Sequence, residues 1–174
     1  MARPGRRQVE AAVRTLLRAV GEDPGRAGLR GTPALVADAL AELFAGVGRD
    51  PAEALEVVPD GADVEVAIER IPFTSWCEHH LLPFTGQASV RYMPANGRVA
   101  GLGAVARALS IAAARPTLQE RLAWDVASAL ARRLAPRWVE VRVRAVQLCL
   151  VARGARAHGA EVETVARIGP EAGG

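Results

Sequence analysis

Residues 62–71 read ADVEVAIERI, with Val64, Val66 and Ile68 at every second position. That alternation gives an extended chain one apolar and one polar face, so the stretch predicts a β-strand. The chain before it follows another period. QVEAAVRTLLRAV, residues 8–20, sets Val9, Val13, Leu16, Leu17 and Val20 at helical spacing. GEDPGRAGLRG interrupts this with Gly and Pro, and TPALVADALAELFAGVG restarts it, with Thr32 as N-cap and Pro33 in the first helical position. PAEALEV, from Pro51, adds a short helix.

After the first strand, GQASVRYMP predicts a second and ANG a turn. Residues 102–114, LGAVARALSIAAA, are Ala-rich and helical. Arg115-Pro116 breaks that helix, and Thr117 with Glu120 three residues later forms a possible capping box for LQERLAWDVASALARRLA. WVEVRVRAVQLCLVARG, residues 138–154, alternates over a long run and reads as a third strand, and AEVETVARIG as a fourth. The tail PEAGG is expected to fray. The reading is an α+β chain: an N-terminal helical region over 1–60, then a β-β-α-α-β-β domain over 61–170. Its four-stranded antiparallel sheet carries two helices on one face.

Composition narrows the function classes. All 22 basic residues among the 174 are arginine, so a phosphate contact must come from Arg or backbone N–H. These arginines are dispersed and aromatics make up 4%, which argues against nucleic acid as a partner. The opening MARPGRRQVEAAVRTLLRAV lacks the apolar core of a signal peptide. No stretch approaches the ~20 apolar residues of a membrane span. A cytoplasmic location without membrane contact is expected, where thiols stay free or bind metal.

SWCEHHLLPF, residues 75–84, then stands out, expected as a loop between strands. It holds one of two cysteines and two of three histidines. Cys77 and His80 form a C-x-x-H pair, and thiolate with imidazole suits zinc; a buried cysteine beside surface histidines is the other reading. Cys149, expected in the third strand, completes a Cys-His-Cys set if the sheet brings it near. His158, in a turn, is a poor fourth candidate, and three protein ligands leave one position open, as in catalytic zinc sites. Strand parity places Gln147, Cys149 and Arg153 on one face. Arg153 there is either an anion clamp or an edge arginine in solvent. His79 is either an acid/base group or a loop histidine bonded to backbone.

TSWCEHHLLPFTGQASVRYMP, AGLGAVARAL, RPTLQERLAWDVASAL and VQLCLVARG together resemble the GTP cyclohydrolase I family, and GLRGTPALVADAL resembles its N-terminal part. The resemblance spans most of residues 20–170. It implies the tunnelling fold (T-fold) and assembly into barrels, usually homodecamers, with active sites between subunits. It implies zinc on Cys77, His80 and Cys149, with His79 as an acid/base residue. Glu120 becomes the carboxylate gripping the guanine N–H edge, with Gln119 beside it, and Arg107 and Arg153 become triphosphate contacts. The implied substrate is a guanine nucleotide, GTP or GMP. The implied reaction adds zinc-activated water to C8, opens the imidazole ring to a formamide, releases formate and closes a pterin ring.

Three positions depart from the family pattern. Gln147 replaces a histidine two residues before the second cysteine ligand. Gly103-Ala104 follows Gly101-Leu102 where the family has Ser-Lys. The last strand, AEVETVARIG, keeps only Thr164 of a Ser/Thr-rich set. Gln147 is thus a candidate catalytic position that cannot exchange a proton near neutral pH. The expected activity is opening of the guanine imidazole ring, with a possible halt at the formamidopyrimidine nucleotide. The alternatives are the complete reaction to 7,8-dihydroneopterin triphosphate, a non-catalytic purine-nucleotide-binding or regulatory paralogue, and the nitrile-reductase branch of the same fold. That last branch uses a free cysteine nucleophile and NADPH, whereas here both cysteines are read as ligands and no dinucleotide fingerprint is present.

Overall fold

The structure, a computed structural model, describes residues 5–59 and 61–169; the expected fraying of PEAGG lies outside them. Two helices come first, α1 (Arg6–Ala19) and α2 (Thr32–Leu43). The second begins one residue earlier than Thr32 as a cap implies, with Gly31 as N-cap. PAEALEV forms only a 3-10 turn, Pro51–Ala54, capped by Asp50, whose carboxylate accepts from Ala52 N at 3.0 Å. The rest runs β1 (Val57–Val58), β2 (Val66–Cys77), β3 (Pro83–Met93), β4 (Val99–Ala100), α3 (Leu102–Ala113), β5 (Pro116–Thr117), α4 (Gln119–Leu134), β6 (Trp138–Gln147), α5 (Leu148–Val151) and β7 (Val162–Ile168).

The main sheet has the order β5-β2-β3-β6-β7. Its four long strands are antiparallel neighbours, as the alternating pattern predicts. The fifth, β5, is an addition: Pro116 and Thr117 pair in parallel with Trp76 and Cys77. Helices α3 and α4 pack on one face. Against them lie Ile71, Phe73, Ser75 and Cys77 of β2 and Val139, Val141, Val143 and Ala145 of β6, all buried. Val141, Leu122 and Leu130 are fully excluded from water, each contributing about 1.5–3 kcal/mol by burial. Arg142 and Glu163 bridge β6 and β7 at 2.7 Å, and Arg167 with Glu140 at 2.6 Å. Gly86 allows β3 and β6 to approach: a Cβ there would lie 1.9 Å from Arg144 O.

Four further local expectations change. First, β2 runs on to Cys77, so SWCEHHLLPF is a strand end, a tight turn and a strand start, not a loop. A bulge between Ile68 and Ile71, with Arg70 at φ 57°, switches the inward parity from even to odd residues. Pro72 is tolerated because β2 is unpaired on its outer side there. Second, Thr117 does not cap α4. It sits in β5, its Oγ1 lies 3.3 Å from Leu118 O, and the N-cap is Leu118 with no side-chain cap. Third, β6 stops at Gln147, and Cys149 lies in the single-turn helix α5, not in a strand. Positions 147, 149, 151 and 153 therefore do not share a sheet face. The run LCLV is apolar at every position, so it carries no period to separate strand from helix. Fourth, the sheet has five strands rather than four, because two residues suffice to join β2 at its edge.

Candidate metal and nucleotide site

The β2–β3 turn presents the first two candidate ligands. Cys77 N donates to Leu82 O at 2.9 Å, and Leu81 N donates to Cys77 O at 2.8 Å, with Leu81 at φ 51° closing the turn. Glu78 N donates to Thr117 O at 3.1 Å, so β5 holds the turn from its other side. Cys77 is buried while His79 and His80 project from the turn. The rings of these two histidines are edge to face with centroids 6.2 Å apart.

Cys149 arrives at the end of β6. Phe84 of β3 stands opposite Gln147, so the end of β6 lies beside the turn, and α5 then folds Cys149 back over it. The ligand atoms of Cys77, His80 and Cys149 lie within 4.8 Å of one another, and Cys77 Sγ is 3.9 Å from His80 Nδ1. Tetrahedral zinc with ordinary bond lengths requires about 3.5–3.8 Å between such donors, so small side-chain shifts suffice. Two sulfurs and an imidazole are soft donors that fit zinc and not calcium or magnesium. Burial pushes the Cys149 thiol pKa up and the adjacent Cys77 adds to this, while Arg153 pulls the other way. Two neighbouring thiolates need a compensating cation, which a metal supplies.

Arg153 Nη1 lies 3.1 Å from His80 Nε2, so one arginine does border the cluster. Arg107 is elsewhere along the surface. Its Nη2 is 3.5 Å from Glu56 Oε1, and it lines a cavity of about 380 Å³ with Arg49, Glu53 and Ser110. Among the described residues no contact within the chain joins it to the cluster. Gly103 gives its guanidinium room, since a Cβ there would sit 3.3 Å from Nη1. Glu120, in the first turn of α4, is exposed and makes no side-chain hydrogen bond among the described residues. Gln119 is buried, and its amide is held at both ends within the chain.

A family model described as GTP cyclohydrolase I matches residues 9–171. The chain belongs to that family. Proteins named GTP cyclohydrolase 1 are similar over nearly all of it. That of Mycolicibacterium vanbaalenii is 51% identical over 161 residues, covering 91% of this chain and 80% of that one. The Desulforamulus reducens protein is 46% identical over 160 residues, covering 91% and 86%. The Streptococcus agalactiae protein is 44% identical over 166 residues, covering 94% and 89%. Membership in the GTP cyclohydrolase I family assigns the observed α+β architecture to the tunnelling fold. Among the described residues no helix is long and apolar enough to cross a membrane.

One feature of this family member has no pattern in the sequence to announce it. Gln147 Nε2 donates to Gln119 Oε1 at 2.7 Å across 28 residues of chain. Both are ordinary polar residues by type, and only the register of β6 against α4 brings them together.

Proposed function

We propose that this protein is a zinc-dependent hydrolase that opens the imidazole ring of a guanine nucleotide, and that its reaction halts at the formamidopyrimidine nucleotide. The observation that carries this reading is the Cys77–His80–Cys149 cluster, three soft donors with room for a fourth ligand, beside an amide at position 147. Bound there, zinc supplies an acidified water at neutral pH.

The chain's own groups supply the rest. Glu120 accepts two parallel hydrogen bonds from guanine N1–H and the 2-amino group. Because no capping box forms with Thr117, its carboxylate is available for this. As water adds to C8 and the C8–N9 bond breaks, His79 holds the proton that N9 receives. Arg153 and Arg107 bind phosphate oxygens. Arg107 stands apart from the cluster within one chain, which fits a site completed by a second copy in a homo-oligomer, decameric in this reading. Gly103 and Ala104 provide no hydroxyl or amine to the phosphates, so the preference for triphosphate is shallow.

The complete reaction, giving 7,8-dihydroneopterin triphosphate and formate, is the second reading. It is favoured by the relatives at 44–51% identity, all named GTP cyclohydrolase 1. Incubating zinc-loaded protein with GTP and, separately, with GMP decides between them by product mass. Both nucleotides are expected to yield a product heavier by one water. No product from either nucleotide overturns the hydrolase reading, and a pterin product establishes the second.

Base recognition has its own test. Glu120→Ala is expected to weaken binding of guanine nucleotides by about 10–100-fold, the loss of charge-assisted hydrogen bonds. Adenine nucleotides lack both donors and are expected to be poor ligands of the parent. Isothermal titration with GTP and ATP measures this, and equal affinity for the two removes Glu120 from base recognition.

A further inference from the structure

Gln119 opens α4 with 3% of its surface exposed. Its Nε2 lies 3.0 Å from Val143 O, 2.9 Å from Val162 O and 3.3 Å from Thr164 Oγ1. Two of these are main-chain carbonyls, on the adjacent strands β6 and β7, and carbonyls accept but never donate. The amino end of Gln119 must therefore face the sheet, which leaves its Oε1 to face Gln147. An oxygen is satisfied only by a donor, so the amino end of Gln147 faces Gln119, 2.7 Å away. The carbonyl oxygen of Gln147 is the end left over. Strand parity puts this side chain on the helix-facing side of the sheet, in one row with Phe84 and Ser75 and one pleat from Cys77.

We propose that Gln119 is a positioning residue for position 147: it holds Gln147 by the amino end, so that this side chain turns its carbonyl oxygen, a hydrogen-bond acceptor, to the site. The pairing stands on the geometry alone; what the acceptor does in turnover rests on the function proposed above. Whatever occupies position 147 must donate to Gln119. A histidine there would direct its N–H to Gln119 and its bare nitrogen to the site, which makes it a base. A glutamine held the same way presents an oxygen that takes a hydrogen bond but carries no proton near neutral pH. One clamp thus gives proton transfer with one residue and bare orientation with the other.

The test begins with stability, on protein stripped of metal, at pH 8 where an introduced carboxylate is ionised. Position 147 is only partly buried, so its variants are expected to fold. Gln147→Met leaves Gln119 Oε1 without a donor, and the melting midpoint is expected to fall by about 2–4 °C. Gln147→His restores a donor and is expected to recover that loss. Gln147→Glu keeps the shape but sets oxygen against oxygen, and is expected to melt no higher than Gln147→Met. A glutamate variant as stable as the parent would show that Gln119 presents its amino end, and that overturns the proposal. The second arm is product partition in zinc-loaded protein. Gln147→His is expected to raise the ratio of formate to formamidopyrimidine at least about tenfold. The double variant with Gln119→Met is expected to lose that gain while still opening the ring, a split that general loss of structure does not produce. A double variant that keeps the full gain also overturns the proposal. The expected stability order with no ring opening by the parent leaves the clamp standing and overturns the reaction assigned to the site.

Discussion

Cys149→Ser is expected to lose zinc and activity together. The proposed ligand set holds three donors, the number that in catalytic zinc sites leaves one position open. Removing one thiolate takes away a charge as well as a bond, and a serine hydroxyl at neutral pH replaces neither. Structural zinc sites contribute roughly 10–16 kcal/mol at neutral pH, shared among their ligands, so the loss of one lowers affinity by orders of magnitude. The fold is expected to survive, because Cys149 sits in a single turn at the edge of the core and the buried rows of β6 and α4 do not depend on it. Cys77→Ser and His80→Ala are expected to behave alike. Zinc content by elemental analysis, with circular dichroism as the control for folding, measures the effect. Full zinc occupancy and full turnover in Cys149→Ser would remove this residue from the ligand set.

The placement of Cys149 shows what the sequence does and does not make legible. The pair Cys77 and His80 is visible because three residues cannot separate two side chains far in any tight turn. Cys149 joins them from 69 positions further along the chain than His80, and strand alternation through VQLCLVARG is the wrong reason for it. The strand ends at Gln147, and a helical turn carries Cys149 to the cluster and leaves Arg153 beside His80. The β-β-α-α-β-β order is legible because Val139, Val141 and Val143 alternate strictly with Glu140 and Arg142, and because Leu122, Val126 and Leu130 recur at helical spacing. Ends of elements are less so. Thr117 and Glu120 have the spacing of a capping box, yet pairing of Thr117 with Cys77 in the sheet takes precedence over the local bond. The clamp of Gln119 on Gln147 is invisible in the sequence for a similar reason. An amide's partners depend on register between distant elements, and two glutamines 28 residues apart form no periodic pattern.

The position held by that clamp sets the second large effect. The unmodified protein, loaded with zinc and given a guanine nucleotide, is expected to accumulate the formamidopyrimidine nucleotide and to release little formate. Ring opening needs one proton, delivered to N9 as the C8–N9 bond breaks, and in the proposed reaction His79, on the exposed turn, holds it. Formate release needs a second water at the formyl carbon and a proton for N7 as the C8–N7 bond breaks. That step draws on a second acid or base, and position 147 has an amide where the family resemblance places a histidine. A positioned acid or base contributes roughly 10²–10⁴-fold, so the second step falls well behind the first. Gln147→His is expected to raise formate release toward that range, with Gly103 and Ala104 still weakening the hold on the phosphates. Product mass, with formate measured in parallel, reads both steps. One formate per nucleotide from the unmodified protein, with a pterin fluorescent after oxidation, would show that Gln147 supports the whole sequence and that the halt does not occur.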